Sequence, residues 1–218
     1  MSRARLVVFD LDGTLVDSTQ DLATAVNAAL ARLAPGTPAL PIDVVRSYIG
    51  NGAGVLVAKS LEAAGIAAQP GAALPVFLDC YSRCLLDTTT LYPGVLEALD
   101  ALADRVLAVL TNKPGQMSRT ILAGLGVAPR FAWIYGGGDV PGRKPDPAGL
   151  QKLMQETGVG AGECLLVGDS AVDVRTGRAA GVRTVGVRYG LDPESLRSDP
   201  PDVLIADLRE LPALVRQD

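Results

Sequence analysis

The sequence predicts an α/β fold, a doubly wound parallel sheet with an inserted all-helical subdomain. Short apolar, partly β-branched runs recur along the chain with helical patterns between them, the alternation that gives parallel strands joined by right-handed crossovers. Hydrophobic residues make up 48% of the 218 positions but aromatics only 4%, so the core must come from Ala, Val, Leu and Ile, which suits helices packed on a buried sheet. One stretch, residues 17–89, breaks the alternation with helical spacing and no convincing strand.

The first strand is expected over Arg5 to Phe9, a short apolar run that ends at a cluster of Asp and Gly. Later strands are expected over Arg105 to Leu110, Phe131 to Tyr135, Cys164 to Val167 and Arg183 to Val187, with Val203 to Ile205 as a sixth. Between them, Pro93 and Pro114 sit where a first helical turn would begin, and Asp146-Pro147 offers a cap followed by proline. Gly158 and Gly181 are placed to end the helices that precede them. In the insertion, Leu22, Val26, Ala29 and Leu33 mark one helix, and Val55, Leu56, Lys59, Ser60 and Ala63 another. Pro35-Gly36-Thr37-Pro38 and Gln69-Pro70-Gly71 punctuate its loops. The expected division is a core of residues 1–16 and 90–218 and a helical cap of 17–89, which would sit above the carboxyl ends of the strands as a lid.

Composition excludes several functions. A formal net charge of -4 argues against binding a nucleic-acid backbone, which needs clustered Lys and Arg. The N-terminal segment has only a short apolar run, interrupted by Asp10 and Asp12, so neither a signal peptide nor a membrane span is expected, and the reading is cytoplasmic. Cys80, Cys84 and Cys164 lack metal-ligand spacing and read as buried small hydrophobes. Histidine is absent, which removes Ser-His-Asp and Cys-His triads and leaves carboxylates, Lys and hydroxyls to carry any chemistry.

Asp10 and Asp12 flank Leu11 just after the first strand, and an extended segment repeats its facing every two residues, so both carboxylates are expected in one pocket; the plain alternative is a polar turn. Gly168-Asp169-Ser170 with Asp173 follows the fourth strand and would meet them if the two strands are neighbours. Carboxylates about 4 Å apart repel by roughly 1 to 4 kcal/mol. A hard divalent cation relieves that, and an all-oxygen site completed by substrate phosphate suits Mg²⁺. Ser170-x-x-Asp173 also reads as a capping box, so Asp173 has capping and metal-shell readings side by side. Thr111 and Asn112 close the second strand and present a hydroxyl and free N–H groups where a helix starts, a place that favours phosphate. Lys144 is a point charge in a proline-stiffened loop, with a solvated surface lysine as its plain alternative.

Together, Asp10-Leu11-Asp12-Gly13-Thr14-Leu15, Thr111-Asn112, Lys144-Pro145 and Gly168-Asp169 with Asp173 resemble the haloacid dehalogenase superfamily in residues, order and strand placement. The insertion resembles that family's C1 helical cap. The resemblance implies that Asp10 attacks phosphorus to give an aspartyl-phosphate. It implies that Asp12 protonates the leaving oxygen and then deprotonates water, and that Thr111 and Lys144 hold phosphoryl oxygens. Mg²⁺ would be held by Asp10, the Asp12 backbone carbonyl and Asp169, with Asp173 in its shell.

The dehalogenating branch of that family lacks the second aspartate and needs no metal, so Asp12 with Asp169 implies phosphoryl transfer. Ile49-Gly50-Asn51-Gly52, Leu91-Tyr92-Pro93-Gly94-Val95, the Thr111 to Pro114 run and Gly137-Gly138-Asp139 resemble the phosphoglycolate phosphatases of bacteria. The expected substrate is therefore a small phosphorylated metabolite, 2-phosphoglycolate first. A broader phosphatase or pyrophosphatase, a β-phosphoglucomutase-like phosphotransferase and a non-catalytic phosphate-binding protein remain as alternatives. Gly50, Asn51 and Gly52 read either as a helix-connecting turn or as a loop that closes on substrate. Arg46 and Lys59 read as solvated helix faces, with contact to a substrate carboxylate as the alternative. Monomer and homodimer are both open.

Overall fold

A computed structural model of the chain describes residues 4–216; the first three residues of the N-terminal segment read above lie outside it. In chain order, β1 (Leu6–Phe9) and β2 (Val16–Asp17) lead into α1 (Thr19–Leu33), α2 (Ile42–Arg46), α3 (Ala53–Ala63) and α4 (Pro70–Ser82). β3 (Thr90–Leu91) and α5 (Val95–Ala101) follow, then β4 (Val106–Pro114), α6 (Gly115–Gly124) and β5 (Trp133–Gly137). The rest is α7 (Ala148–Thr157), β6 (Cys164–Gly168), α8 (Ala171–Ala179), β7 (Arg183–Val187), α9 (Ser195–Ser198), β8 (Val203–Ile205) and α10 (Leu211–Arg216).

Six strands form one sheet in the order β5-β4-β1-β6-β7-β8, and every pairing within it is parallel. The α/β expectation holds. Both faces of β1 are buried: Val7 and Phe9 enter one apolar cluster, Leu6 and Val8 another, as a period of two requires of a strand covered on both sides. Each such side chain contributes roughly 1.5–3 kcal/mol of burial. After β1 the chain winds to one side through β4 and β5, then returns to the other side as β6. The carboxyl end of β1 is therefore the switch point of the sheet, where α/β folds open a crevice.

Helices α1 to α4 fall between β2 and β3, which pair antiparallel at the base of the insertion. That short ribbon was not expected from sequence, because two residues are too few to show a period. Helix α1 buries Leu22, Val26 and Ala29 as expected, whereas α3 buries Leu56, Val57, Ser60 and Leu61 and leaves Val55 exposed, so its inward face is turned from the expected one. The insertion packs into the same apolar cluster as Val7 and Phe9. It is also fastened polar-wise: Asp21 of α1 accepts hydrogen bonds from the backbone N–H groups of Thr88 (3.0 Å) and Thr89 (2.9 Å) and from both hydroxyls.

Other boundaries shift by small, physical amounts. Pro93 and Pro114 precede their helices rather than opening them, and Asp146 caps from one residue further out, its Oδ1 accepting the Ala148 N–H at 2.8 Å. Gly158 and Gly181 end their helices in the left-handed region as expected. The fold's second strand runs on to Pro114, four residues beyond the expected end at Leu110. All the cysteines are buried and unpaired. Among the described residues, no helix is long and apolar enough to cross a membrane.

Candidate active site

Asp10 leaves β1 at the switch point with its N–H bonded to the Val167 carbonyl of β6 at 2.9 Å, which ties it to the strand that carries Asp169. The structure brings the two acidic clusters together: carboxylate oxygens of Asp10, Asp169 and Asp173 lie within 4.8 Å of one another, all buried. Lys144 faces them, with Nζ 2.8 Å from Asp10 Oδ1 and 2.6 Å from Asp173 Oδ1. Far from being a solvated lysine, it is 6% exposed. Asp173 takes up its capping reading, Oδ2 closing the capping box with Ser170, and its other oxygen, Oδ1, meets Lys144.

Burial raises the Asp10 carboxyl to about 6, with Lys144 pulling it down and Asp173 pushing it up. Asp169 is pushed well above the ordinary carboxylate range by burial and then by Asp173 and Asp10, despite N–H donors from Leu191 at 2.7 Å and Asp192. Burial alone would lower Lys144, but the two facing carboxylates hold it above its usual value. Asp10 Oδ1 makes the ion contact with Lys144 without hydrogen-bond alignment and is left with no hydrogen-bond partner. A buried, under-satisfied oxygen among crowded carboxylates is a donor set fitted to a hard divalent cation. Gly13 has φ +85°, and a Cβ there would collide with the Asp169 carboxylate, so glycine lets the loop close over it.

Asp12 stands apart from that cluster. Its carboxylate accepts from Lys113 Nζ at 2.9 and 3.1 Å and from Ser18 Oγ at 2.5 Å. Lys113 in turn lies 4.6 Å from the centre of the Tyr81 ring, which stacks on Phe77. Burial would lower Lys113, but Asp12 holds it above its usual value, and burial raises the Tyr81 phenol to about 12. Lys113, Ser18 and Tyr81 were not singled out from sequence. Lys113 was legible in one respect: it follows Thr111 by two residues, so an extended backbone turns both side chains the same way. Ending the strand at Leu110 hid this. The β4–β5 register is irregular between Leu110 and Pro114, and such breaks re-aim side chains beside sites.

Thr111 is buried beside Asp10, and its Oγ1 accepts the Lys113 N–H at 3.3 Å. Asn112 was expected to meet phosphate. Its amide is committed elsewhere: both N–H groups donate to backbone carbonyls, of Lys144 at 3.0 Å and Gly50 at 3.1 Å, and Oδ1 accepts the Lys144 N–H at 2.9 Å. Asn112 thus sets the Lys144 loop and docks the insertion. Gly50 and Gly52 line a cavity above Asp10, both with positive φ, whereas Asn51 is exposed and does not line it. Arg46 is no free helix face either, since its guanidinium donates to the Gly190 carbonyl at 3.0 Å; Lys59 sits 5.4 Å from the Tyr48 ring centre. The cavity is walled by Asp10, Asp12, Thr111 and Lys113 from the sheet and by apolar insertion residues such as Leu56 and Phe77. Its free volume of about 30 Å³ is room for about two waters.

A strand-end aspartate pair, a lysine held on it and a second acidic cluster at the switch point define a phosphoryl-handling hydrolase site on a parallel α/β sheet. The family model for haloacid dehalogenase-like hydrolases matches residues 7–187, and the chain belongs to that family, as an enzyme of the phosphatase type. It is 42% identical over 216 residues to a phosphoglycolate phosphatase of Pseudomonas putida, covering 95% of this chain and 78% of that one. It is 39% identical over 219 residues to a phosphoglycolate phosphatase of Haemophilus influenzae, covering 95% and 96% of the two chains. A crystal structure described as a "predicted phosphoglycolate phosphatase" from Haemophilus somnus superposes with a TM-score of 0.92 at 32% identity, over 99% of this chain and 100% of that one.

Proposed function

We propose that this enzyme hydrolyses 2-phosphoglycolate to glycolate and phosphate through a phosphorylated Asp10, with Mg²⁺ as cofactor and α1 to α4 as a cap over the site. The observation that carries the reading is the position of Asp10, at the switch point of the sheet, 2.8 Å from Lys144 and within the oxygen cluster of Asp169 and Asp173. Mg²⁺, when bound, would supply charge that offsets the repulsion between carboxylate and phosphate. Asp10, Asp169 and the Asp12 carbonyl would hold it, with Asp173 in its shell. The relatives' names support the substrate.

In the first step an Asp10 oxygen forms a bond to phosphorus as the bond to the leaving oxygen breaks, and Asp12 gives that oxygen its proton. In the second, Asp12 takes a proton from water as the water oxygen bonds phosphorus and the bond to Asp10 breaks, releasing phosphate. Lys144 and the Thr111 hydroxyl hold the equatorial oxygens, where charge is greatest in the transition state. The cap excludes water, which strengthens these interactions.

A panel of small phosphate esters, assayed with and without Mg²⁺, tests this. The expected result is metal-dependent release with 2-phosphoglycolate preferred by about a hundredfold or more. Flat activity across the panel would contradict the substrate, and undiminished activity after metal chelation would contradict the cofactor.

A further inference from the structure

We infer that Lys113 and Tyr81 together read the substrate's carboxylate, Lys113 exchanging its Asp12 partner for it, so that the site selects esters whose carboxylate lies one carbon from the ester oxygen. The inference rests on the 2-phosphoglycolate reading and adds the residues that would enforce it.

Lys113 is the sole basic residue among those that wall the cavity. Its side chain is 3% exposed, and its charge is balanced there by Asp12 alone. Asp12 is also the residue that must reach the ester oxygen; its Oδ1 can keep Ser18 while Oδ2 carries the proton, and Lys113, which bonds both oxygens, is the partner that must release Oδ2. A negative group arriving next to the ester oxygen meets Lys113 within reach and frees Asp12. In 2-phosphoglycolate a single methylene separates the ester oxygen from the carboxylate, so the anion necessarily arrives there.

Tyr81 supplies an independent observation. It is 1% exposed, it lines the same cavity, and its hydroxyl sits against Lys113 and Ser18 without a well-aligned hydrogen bond to either. A buried phenolic O–H is normally paired, and this one waits beside a lysine. A carboxylate has acceptor capacity for both donors, with a charge-assisted bond to the ammonium. Tyr81 belongs to α4 of the insertion and Lys113 to β4 of the sheet, so a carboxylate held between them also couples binding to the seating of the insertion.

The test compares 2-phosphoglycolate with ethyl phosphate, of similar length but lacking the carboxylate, in the intact enzyme and in Lys113→Met, Lys113→Arg and Tyr81→Phe. Lys113→Met is expected to slow both substrates, because Asp12 loses its partner, but to reduce the preference for 2-phosphoglycolate by at least about tenfold. Lys113→Arg should restore part of that preference, and Tyr81→Phe, which keeps the ring, should lower it by a factor of a few with KM rising more than kcat falls. A Lys113 that merely supports structure would slow both substrates equally; an unchanged preference ratio in Lys113→Met, or in Tyr81→Phe should the lysine variant not fold, overturns the inference while leaving the phosphatase reading intact. An unmodified enzyme with no preference between the two esters overturns the inference together with the substrate assignment.

Discussion

Two aspartates two residues apart occupy different electrostatic settings, and the roles proposed for them rest on that difference. Asp10 shares a buried cluster with Asp169, Asp173 and Lys144, whereas Asp12 is held by Lys113 and Ser18 on the cavity side. A nucleophile needs a cation-rich approach to phosphorus, and a proton donor needs reach toward the leaving oxygen. Asp12→Asn is expected to lower turnover of alkyl phosphates by about 10²–10⁴-fold, the range of general acid catalysis, while p-nitrophenyl phosphate, whose leaving group needs little protonation, loses much less. Equal losses on both substrates in steady-state assays would remove Asp12 from the proton-transfer role. These residues were legible because Asp, Gly and Thr cluster at strand ends in a fixed order. The pairing of Lys113 with Tyr81 was not, since a lysine at a strand end and a tyrosine on a helix face carry no local mark of facing each other across the chain.

Elements were legible where they are long or clearly punctuated. Strands β1, β6, β7 and β8 show as apolar runs and α7 ends at Gly158, but β4 continues through Thr111-Asn112-Lys113, polar residues that look like a loop and span the break in register with β5 before pairing resumes at Pro114. The β2–β3 ribbon and the Asp21 clasp were hidden for a related reason: both join segments some seventy residues apart in the chain. The clasp has a measurable consequence. Burial alone would raise Asp21, but the hydroxyls and N–H groups of Thr88 and Thr89 outweigh it and hold the carboxyl below its ordinary value. A depressed carboxylate contributes stability that is fully present above its unfolded value, about 3.9, and that is lost as pH falls through the folded value. Asp21→Ala is expected to destabilise the protein by about 2–3 kcal/mol near neutral pH. In urea titrations the gap between the two proteins should hold above about pH 5 and narrow as pH falls below the unfolded value of about 3.9 toward the lower folded value. A gap that stays constant or widens on acidification would rule the clasp out as an ionised acceptor.

At the scale of the whole molecule, the site exists because the sheet reverses its winding at β1. That reversal places the ends of β1, β4 and β6 side by side, with Asp10 and Asp169 just past β1 and β6 and Thr111 in the last part of β4. The alternation of strands and helices made the sheet readable from sequence, and the reversal is what turns four separated motifs into one pocket. How the insertion seats on the sheet was not readable, because it depends on single contacts: Asn112 to the Gly50 carbonyl and Arg46 to the Gly190 carbonyl. Convergence on Asp10 is the central claim, and acid-quenched turnover with phosphorus-labelled 2-phosphoglycolate and Mg²⁺, followed by peptide mapping, tests it most directly. The account expects label on the peptide that contains Asp10, and neither label nor phosphate release in Asp10→Asn. Near-normal phosphate release by Asp10→Asn, or label carried on a different peptide, would contradict it.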